Sequence, residues 1–144
     1  LVGSEMCIRD SIWSVDADAR ELTAGGKNCG SFVSGLPGYP GALALDEDGT
    51  LYISYRWTRS GWLEKHADST LLRGIALRAG ENIQKKLFKL PADAPCAEAV
   101  DTADGSWKQT FLGRELDGCT AVCPAGSKVY FGAAGSASLL SARV

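Results

Sequence analysis

One hairpin pattern occurs twice in this chain of 144 residues, and it limits the folds that the sequence can adopt. Residues 41–54 align with residues 119–132, so that the apolar runs on either side of each turn coincide. The runs are short and rich in residues that favour strands. Gly49 and Gly126 supply the positive φ that tight hairpins require. The pattern therefore predicts two copies of a unit of strand, turn and strand.

A hairpin that recurs far apart in the chain, behind loops with glycine or proline, is typical of antiparallel sheets repeated around an axis. The pattern therefore predicts an all-β fold. Within that class it favours a β-propeller, although two generic hairpins would also fit a β-sandwich.

The first eleven residues have an unusual origin. Residues 1–11 back-translate, with permitted codons, into a transposase-type sequencing-library adapter read through in frame, and all eleven codons fit. We therefore expect residues 1–11 to be an adapter-derived artefact outside the fold, the alternative being a genuine N-terminal arm. On this interpretation residues 12–144 are the C-terminal blades of a propeller, and their partner is the missing N-terminal part of the same protein.

Charge and cysteine content exclude several function classes. Fifteen basic and 17 acidic residues give a net charge of −2, which argues against a nucleic-acid partner. Cys119 and Cys123 have no second cysteine pair, and the single histidine, His66, is distant in sequence, so we predict no metal site within this chain. The cysteines outside residues 1–11 allow three disulfide pairings or four free thiols. They are Cys29, Cys96, Cys119 and Cys123.

Short apolar runs predict strands throughout most of the chain, interrupted by a partly helical insertion near residues 60–90. Leu72, Ile75 and Ala79 recur at helical spacing, and Gly80 stands where a helix would end. Residues 62–90 carry six basic and three acidic side chains, so the insertion either contacts an anionic membrane surface, covers a channel, or packs as a solvated helix. The predicted strands lie near 12–16, 31–34, 41–46, 50–56, 96–101, 107–112, 119–124, 128–133 and 138–143, with a loop at 35–40.

The order of several motifs resembles the C-terminal region of strictosidine synthase-like proteins. The motifs are residues 32–40, 48–53, 100–105, 129–132 and 139–143, and the resemblance covers nearly all of residues 12–144. That family belongs with the SMP-30/gluconolactonase-type six-bladed propellers. The resemblance implies about two and a half blades of four-stranded antiparallel sheet, with a small-molecule site at the channel mouth. Members of known activity condense an amine with an aldehyde or hydrolyse lactones and esters, the latter with a bound divalent metal.

The chain departs from this family at its polar positions. Where the family commonly reads Pro-Asp-Asn-Ile, this chain reads Pro40-Gly41-Ala42-Leu43, so that two oxygen-bearing side chains are absent. A hard cation needs about six oxygen ligands. We therefore expect no cofactor in this fragment, and a divalent metal such as calcium would need ligands from the rest of the full-length protein.

The resemblance also directs attention to the strand entrances. The glutamate that acts as acid or base in strictosidine synthase aligns at or near Cys119, and a shift of one or two residues brings Glu115 or Asp117 there. Tyr39 on the equivalent loop and His66 in the insertion are candidate ligand-binding residues. Each has an ordinary alternative as a solvated or packing residue. We therefore predict a hydrolase or a strictosidine synthase-like lyase, inactive as a fragment, with a non-catalytic binding scaffold as the alternative.

Overall fold

The computed structural model describes residues 10–21, 23, 25–59, 61, 65, 69–80, 83, 95–113, 118–133 and 136–144. These residues form nine strands in three antiparallel sheets, together with the helix α1 at Thr70–Arg78. The strands are β1 (Ser11–Val15), β2 (Cys29–Ser34), β3 (Gly38–Leu45), β4 (Thr50–Thr58), β5 (Pro95–Asp101), β6 (Trp107–Leu112), β7 (Ala121–Ala125), β8 (Lys128–Gly132) and β9 (Leu140–Arg143).

Each sheet follows the order of the chain. The first sheet pairs β1 with β2, the middle sheet runs β3-β4-β5-β6, and the third sheet runs β7-β8-β9. Every neighbouring pair is antiparallel, and none of the sheets in the described part closes on itself. The predicted all-β class is confirmed in this form, as several open antiparallel sheets. All nine predicted strands occur within a few residues of their expected positions.

The middle sheet is covered on both faces. Because successive residues of a strand point to opposite faces, Tyr52 and Ile53 of β4 enter different apolar clusters. Ile53 packs with Val33 of the first sheet and with Leu36 in the connection after β2, whereas Tyr52 packs with the third sheet. The latter cluster also holds Phe111, Val129 and Phe131, and the ring centroids of Phe111 and Phe131 are 4.9 Å apart. Two layers of side chains therefore hold the three sheets together.

The prediction of a loop at residues 35–40 is wrong in its second half. Residues 38–40 form the beginning of β3, even though they include Pro40. Among the described strands, β3 lies at the edge of its sheet and pairs with β4 alone, so the missing N–H of proline removes no bond from a second neighbour. The pairing shifts between Pro40 and Leu43, which accommodates the irregularity. Similarly, β7 begins at Ala121, so Cys119 precedes the strand on which it was predicted.

The hairpin turns use glycine as predicted. Gly49, Gly105 and Gly126 have φ values of 80°, 73° and 58°. The carboxylate of Asp46 accepts the N–H groups of Asp48 and Thr50, at 3.0 and 2.7 Å. The acidic run at residues 46–48 therefore forms a hydrogen-bonded turn, and Asp46 stabilises its backbone.

The N-terminal boundary lies close to the first strand. Ser11 begins β1 and pairs with Ser34, and the Asp10 carboxylate forms an ion pair with Arg59 at 2.9 Å. The boundary predicted between residues 11 and 12 falls inside this strand, and residues 1–9 lie outside the described residues.

The predicted helix in the insertion is confirmed at Thr70–Arg78. Its first turn is capped by Ser69, whose hydroxyl accepts the N–H of Leu72 at 3.3 Å. The remainder of the predicted insertion after Ile83, which includes the helically spaced Leu87 and Leu90, lies outside the described residues. In the part of the chain that the structure describes, no helix is long and apolar enough to cross a membrane.

Candidate functional site

The connections between strands divide the molecule into two ends. Because every pair is antiparallel, the links at 35–37, 59–94, 113–120 and 133–139 leave the sheets at one end, which we call the loop end. The short turns at 46–49, 102–106 and 126–127 lie at the other, the turn end. The acidic run at 46–48 is therefore remote from the entrances of β3 and β7.

A two-stranded ribbon extends from the middle sheet at the loop end. Pairing between β4 and β5 stops at Ser54 and Ala97, but pairing between β3 and β4 continues to Gly38 and Thr58. Residues 38–40 and 55–58 thus continue as a pair after β4 has stopped pairing with β5, and we call them the projecting ribbon. Tyr39, a predicted ligand-binding residue, is half-buried on this ribbon and lies across from Trp57.

Arg56 and Trp57 form the exposed part of the projecting ribbon. The Arg56 guanidinium carbon lies 4.8 Å from the centroid of the Trp57 ring, which is a cation–π contact. Trp57 remains 47% exposed. The described carboxylates that form ion pairs with basic side chains are Asp10, with Arg59, and Asp101, with Lys108. The Arg56 charge is therefore not paired with a carboxylate in the described part of the chain.

Glycines permit close contact between the middle and third sheets at this end. A side chain at Gly118 would overlap the carbonyl oxygen of Arg56, and Gly118 has a φ of 87°. A Cβ atom at Gly41 would lie 2.9 Å from the carbonyl oxygen of Cys119. The segment before β7 consequently lies directly against the backbone of β3 and β4.

Cys119 is fully buried at this seam. Its N–H donates to the Tyr55 carbonyl at 2.8 Å, and its thiol donates to the Ala121 carbonyl at 3.1 Å. Burial raises the pKa of the Cys119 thiol, so that the protonated form is favoured. A thiol must ionise to act as nucleophile or base. These features favour the packing role of Cys119 over the catalytic one.

The remaining predicted site residues, Glu115, Asp117 and His66, lie outside the described residues. The ends of their connections are described. Gly113 and Gly118 border the segment that contains Glu115 and Asp117, and both belong to the loop end. His66 belongs to the connection between β4 and β5, which leaves the sheet at the same end.

A cleft that the sequence did not reveal opens between the middle and third sheets. Its volume is about 260 Å³, and it reaches the loop end beside Gly113. Burial, together with the nearby Cys119, raises the pKa of the Cys96 thiol in its wall to about 11. In the sequence, Phe111 of β6 and Phe131 of β8 indicate only that these strands have a packed face. The cleft arises from the distance between the middle and third sheets, which no local sequence pattern encodes. The lining side chains include Cys96, Phe111, Leu112, Phe131, Leu140 and Ala142.

Of the two alternatives for the cysteines, disulfides or free thiols, the structure contains free thiols. They are those of Cys29, Cys96, Cys119 and Cys123. Among the described residues, no group of three or more histidine, cysteine or carboxylate side chains is arranged to hold a metal ion. Gly41 and Ala42 offer no side-chain oxygen at the entrance of β3.

Comparison of the chain with family models, with curated proteins and with solved structures finds no significant match.

Proposed function

We propose that this chain forms part of a β-propeller that binds a small organic ligand at its loop end and hydrolyses an ester or lactone there. The observation that carries the proposal is the convergence of both strand entrances, before β3 and before β7, at one glycine-lined seam. Sites assembled from several loops at one end of a rigid scaffold are common in enzymes.

The stacking of the sheets supports the propeller interpretation. The middle and third sheets are antiparallel meanders, and their first strands, β3 and β7, lie beside each other. Blades of a propeller have this order, with the first strand innermost. The resemblance to strictosidine synthase-like proteins points to the same fold.

Glu115 and Asp117 are the proposed acid–base groups. An ionised carboxylate at the loop end would accept a proton from a water molecule that attacks the ester carbonyl. The same group would then return the proton to the departing alkoxide. An amine and aldehyde condensation would need the same proton transfers. The described residues do not supply a set of oxygen ligands, so no step in this mechanism uses a metal.

The test is hydrolysis of a panel of aryl esters and lactones by the full-length protein, with and without a chelator. We expect turnover that survives chelation and is lost in Glu115→Gln or Asp117→Asn, by roughly 100-fold or more. The matched control is Glu47→Gln, an exposed carboxylate at the turn end, which should leave turnover unchanged. Turnover lost with the chelator would contradict the metal-independent mechanism.

A non-catalytic binding scaffold is the alternative, and two observations favour it. Cys119 is a protonated, buried thiol, and the entrance of β3 carries Gly41 and Ala42 in place of polar side chains. Saturable ligand binding without turnover on any substrate, in a protein with a cooperative melt, would support the scaffold over the enzyme.

A further proposal concerns the surface of helix α1. Leu71 and Ile75 lie one turn apart and are 73% and 58% exposed, while Arg78 follows on the same side. The surrounding segment 62–90 is basic. An apolar face bordered by cations suits the interface of an anionic bilayer, so this proposal assigns the insertion to a membrane surface.

Vesicle sedimentation tests the membrane contact. The chain should sediment with vesicles of phosphatidylcholine and phosphatidylserine, and less with phosphatidylcholine alone. A Leu71→Gln, Ile75→Gln double variant should lose this binding. The control Leu139→Gln removes a 67% exposed leucine outside the insertion and should bind like the unchanged chain. Equal binding by all three proteins would reject a role for α1.

A further inference from the structure

We propose that the loop-end site takes a ligand that carries a carboxylate group, and that Arg56 binds this group. The inference rests on the proposed function, because it names the ligand class of the same site. The position of Arg56, its contact with Trp57 and the residues around it support this assignment.

The backbone of Arg56 lies against the residues that immediately precede β7. Gly118 lies so close to the Arg56 carbonyl oxygen that it has no room for a side chain. The neighbouring Tyr55 carbonyl accepts the N–H of Cys119 at 2.8 Å. The Arg56 side chain therefore begins beside Gly118, at the loop end. Gly118 follows Glu115 and Asp117 in the chain, so Arg56 belongs to the same end of the sheets as the connection that carries the proposed acid–base groups.

The contact with Trp57 orients the guanidinium without consuming its hydrogen-bonding capacity. An arginine stacked on an aromatic ring keeps the N–H groups at its edges available, and these form a planar fork. The fork matches the two oxygens of a carboxylate. The 4.8 Å distance to the ring and the exposure of Trp57 place this fork at the surface of the projecting ribbon, where a ligand can reach it.

The surroundings of Arg56 favour a single anionic group of low charge. A Cβ atom at Gly41 would lie 3.4 Å from the Cβ of Arg56, so the glycine leaves the stem of the arginine uncrowded. Tyr39 lies across from Trp57 on the same ribbon. Among the described residues, these two neighbours add an aromatic surface and no second cation. A carboxylate suits one guanidinium, whereas a phosphate of charge near −2 would draw on further donors.

The test compares an anionic probe with its neutral analogue. Benzoate and benzamide have the same ring and differ mainly in charge, and calorimetric titration of the full-length protein should detect only benzoate. In Arg56→Gln we expect benzoate to bind roughly 10-fold or more weakly. Arg56→Lys should recover only part of this loss, since it keeps the charge but not the fork. The control is Arg143→Gln, an exposed arginine on β9, which should bind benzoate unchanged.

The outcomes separate this inference from the proposed hydrolase. Equal binding of benzoate and benzamide, or unchanged benzoate binding in a folded Arg56→Gln variant, would overturn it. Selective binding that depends on Arg56 in a protein without turnover would uphold the inference and reject the hydrolase. For an active enzyme, Arg56→Gln should raise KM for a succinate half-ester and leave KM for the matching neutral acetate ester unchanged. A thermal melt of each variant confirms that it is folded.

Discussion

The two copies of the repeated hairpin have the same sequence pattern but different surroundings. In the β3–β4 hairpin the aligned tyrosine, Tyr52, is 1% exposed, whereas in the β7–β8 hairpin its counterpart, Tyr130, is half-buried. Four consecutive residues of β4, at 52–55, are buried, but burial alternates in β8. The first hairpin lies between two sheets, and the second belongs to a sheet that is covered on one face among the described residues.

The comparison separates hairpin formation, which depends on the strand sequence, from burial of the second face, which depends on the stacking of sheets. An alternating sequence is enough to form a hairpin and to direct one set of side chains inward. Whether the other set is also buried depends on a further sheet. Three pairs of variants, a pH dependence and a thiol-labelling experiment test this distinction, and the first pair has the largest expected effect.

Truncation of the aligned tyrosines should have unequal cost. Tyr52→Ala removes a ring that packs between sheets and 6.3 Å from the Phe111 ring centroid, so we expect a loss of about 3–5 kcal/mol in the free energy of unfolding. Tyr130→Ala should cost about 1 kcal/mol, because its ring is partly in water. Urea unfolding of both variants measures the difference. Equal losses would mean that the outer face of the third sheet is as well covered as the middle sheet.

Glycines at the seam and in the turn provide the second pair. Gly118→Ala should cost about 3 kcal/mol or more, because the new methyl group meets the Arg56 carbonyl and the φ of 87° is unfavourable for alanine. Gly126→Ala, in the β7–β8 turn, has open space around it and a φ of 58°, so we expect about 1 kcal/mol. The same unfolding measurement applies. A small loss at Gly118 would show that the segment before β7 can shift away from β4.

Much of this fold could be predicted from local sequence. All nine strands follow from short apolar runs, and glycine marks the hairpin turns, because strand pairing and positive φ depend on neighbouring residues. The start of β3 could not be predicted in this way. Pro40 argues against a strand interior, and only the position of β3 at a sheet edge makes it acceptable.

The candidate site was less accessible to sequence reasoning. The repeat makes Tyr39 a candidate and the family resemblance makes Cys119 one, and both lie at the loop end. Arg56 was missed, although the run Tyr55-Arg56-Trp57 at the end of a predicted strand is a usable signal. The cleft lined by Cys96 arises between residues distant in sequence, so no local pattern could reveal it.

The third test removes single tyrosine hydroxyl groups and compares two hydrogen bonds of the middle sheet. The buried Tyr55 hydroxyl donates to the Glu98 carboxylate at 2.5 Å, and Tyr55→Phe should cost about 1–3 kcal/mol. The Tyr52 hydroxyl donates to Asp46 at 3.2 Å near the turn end, and Tyr52→Phe should cost less, about 1 kcal/mol. Similar losses would contradict a stronger hydrogen bond at Tyr55 than at Tyr52.

Alkaline pH sharpens the same test. Burial and the neighbouring carboxylates raise the pKa of Tyr52 from 10.0 to about 12, and burial with Glu98 raises that of Tyr55 further. The unfolded chain therefore releases these protons at lower pH than the folded chain. The stability they contribute is present below pH 10 and is lost as the pH rises towards 12. In Tyr52→Phe the free energy of unfolding should decline less over this range than in the unchanged chain. An equal decline would show that Tyr52 ionisation does not cause it.

Thiol labelling is the last test, and it should reveal coverage with almost no change in stability. Cys119 is buried at the seam between the middle and third sheets, whereas Cys123 of β7 is exposed. Iodoacetamide at pH 8, followed by peptide mass mapping, should modify Cys123 quickly and Cys119 only in denaturant, because the raised pKa and burial of Cys119 both suppress the thiolate. Cys123→Ser is the matched control and should remove the fast reaction while leaving the urea midpoint unchanged. Fast labelling of Cys119 in the folded protein would mean that the seam between the middle and third sheets opens. The middle sheet would then be covered on both faces only in the closed conformation.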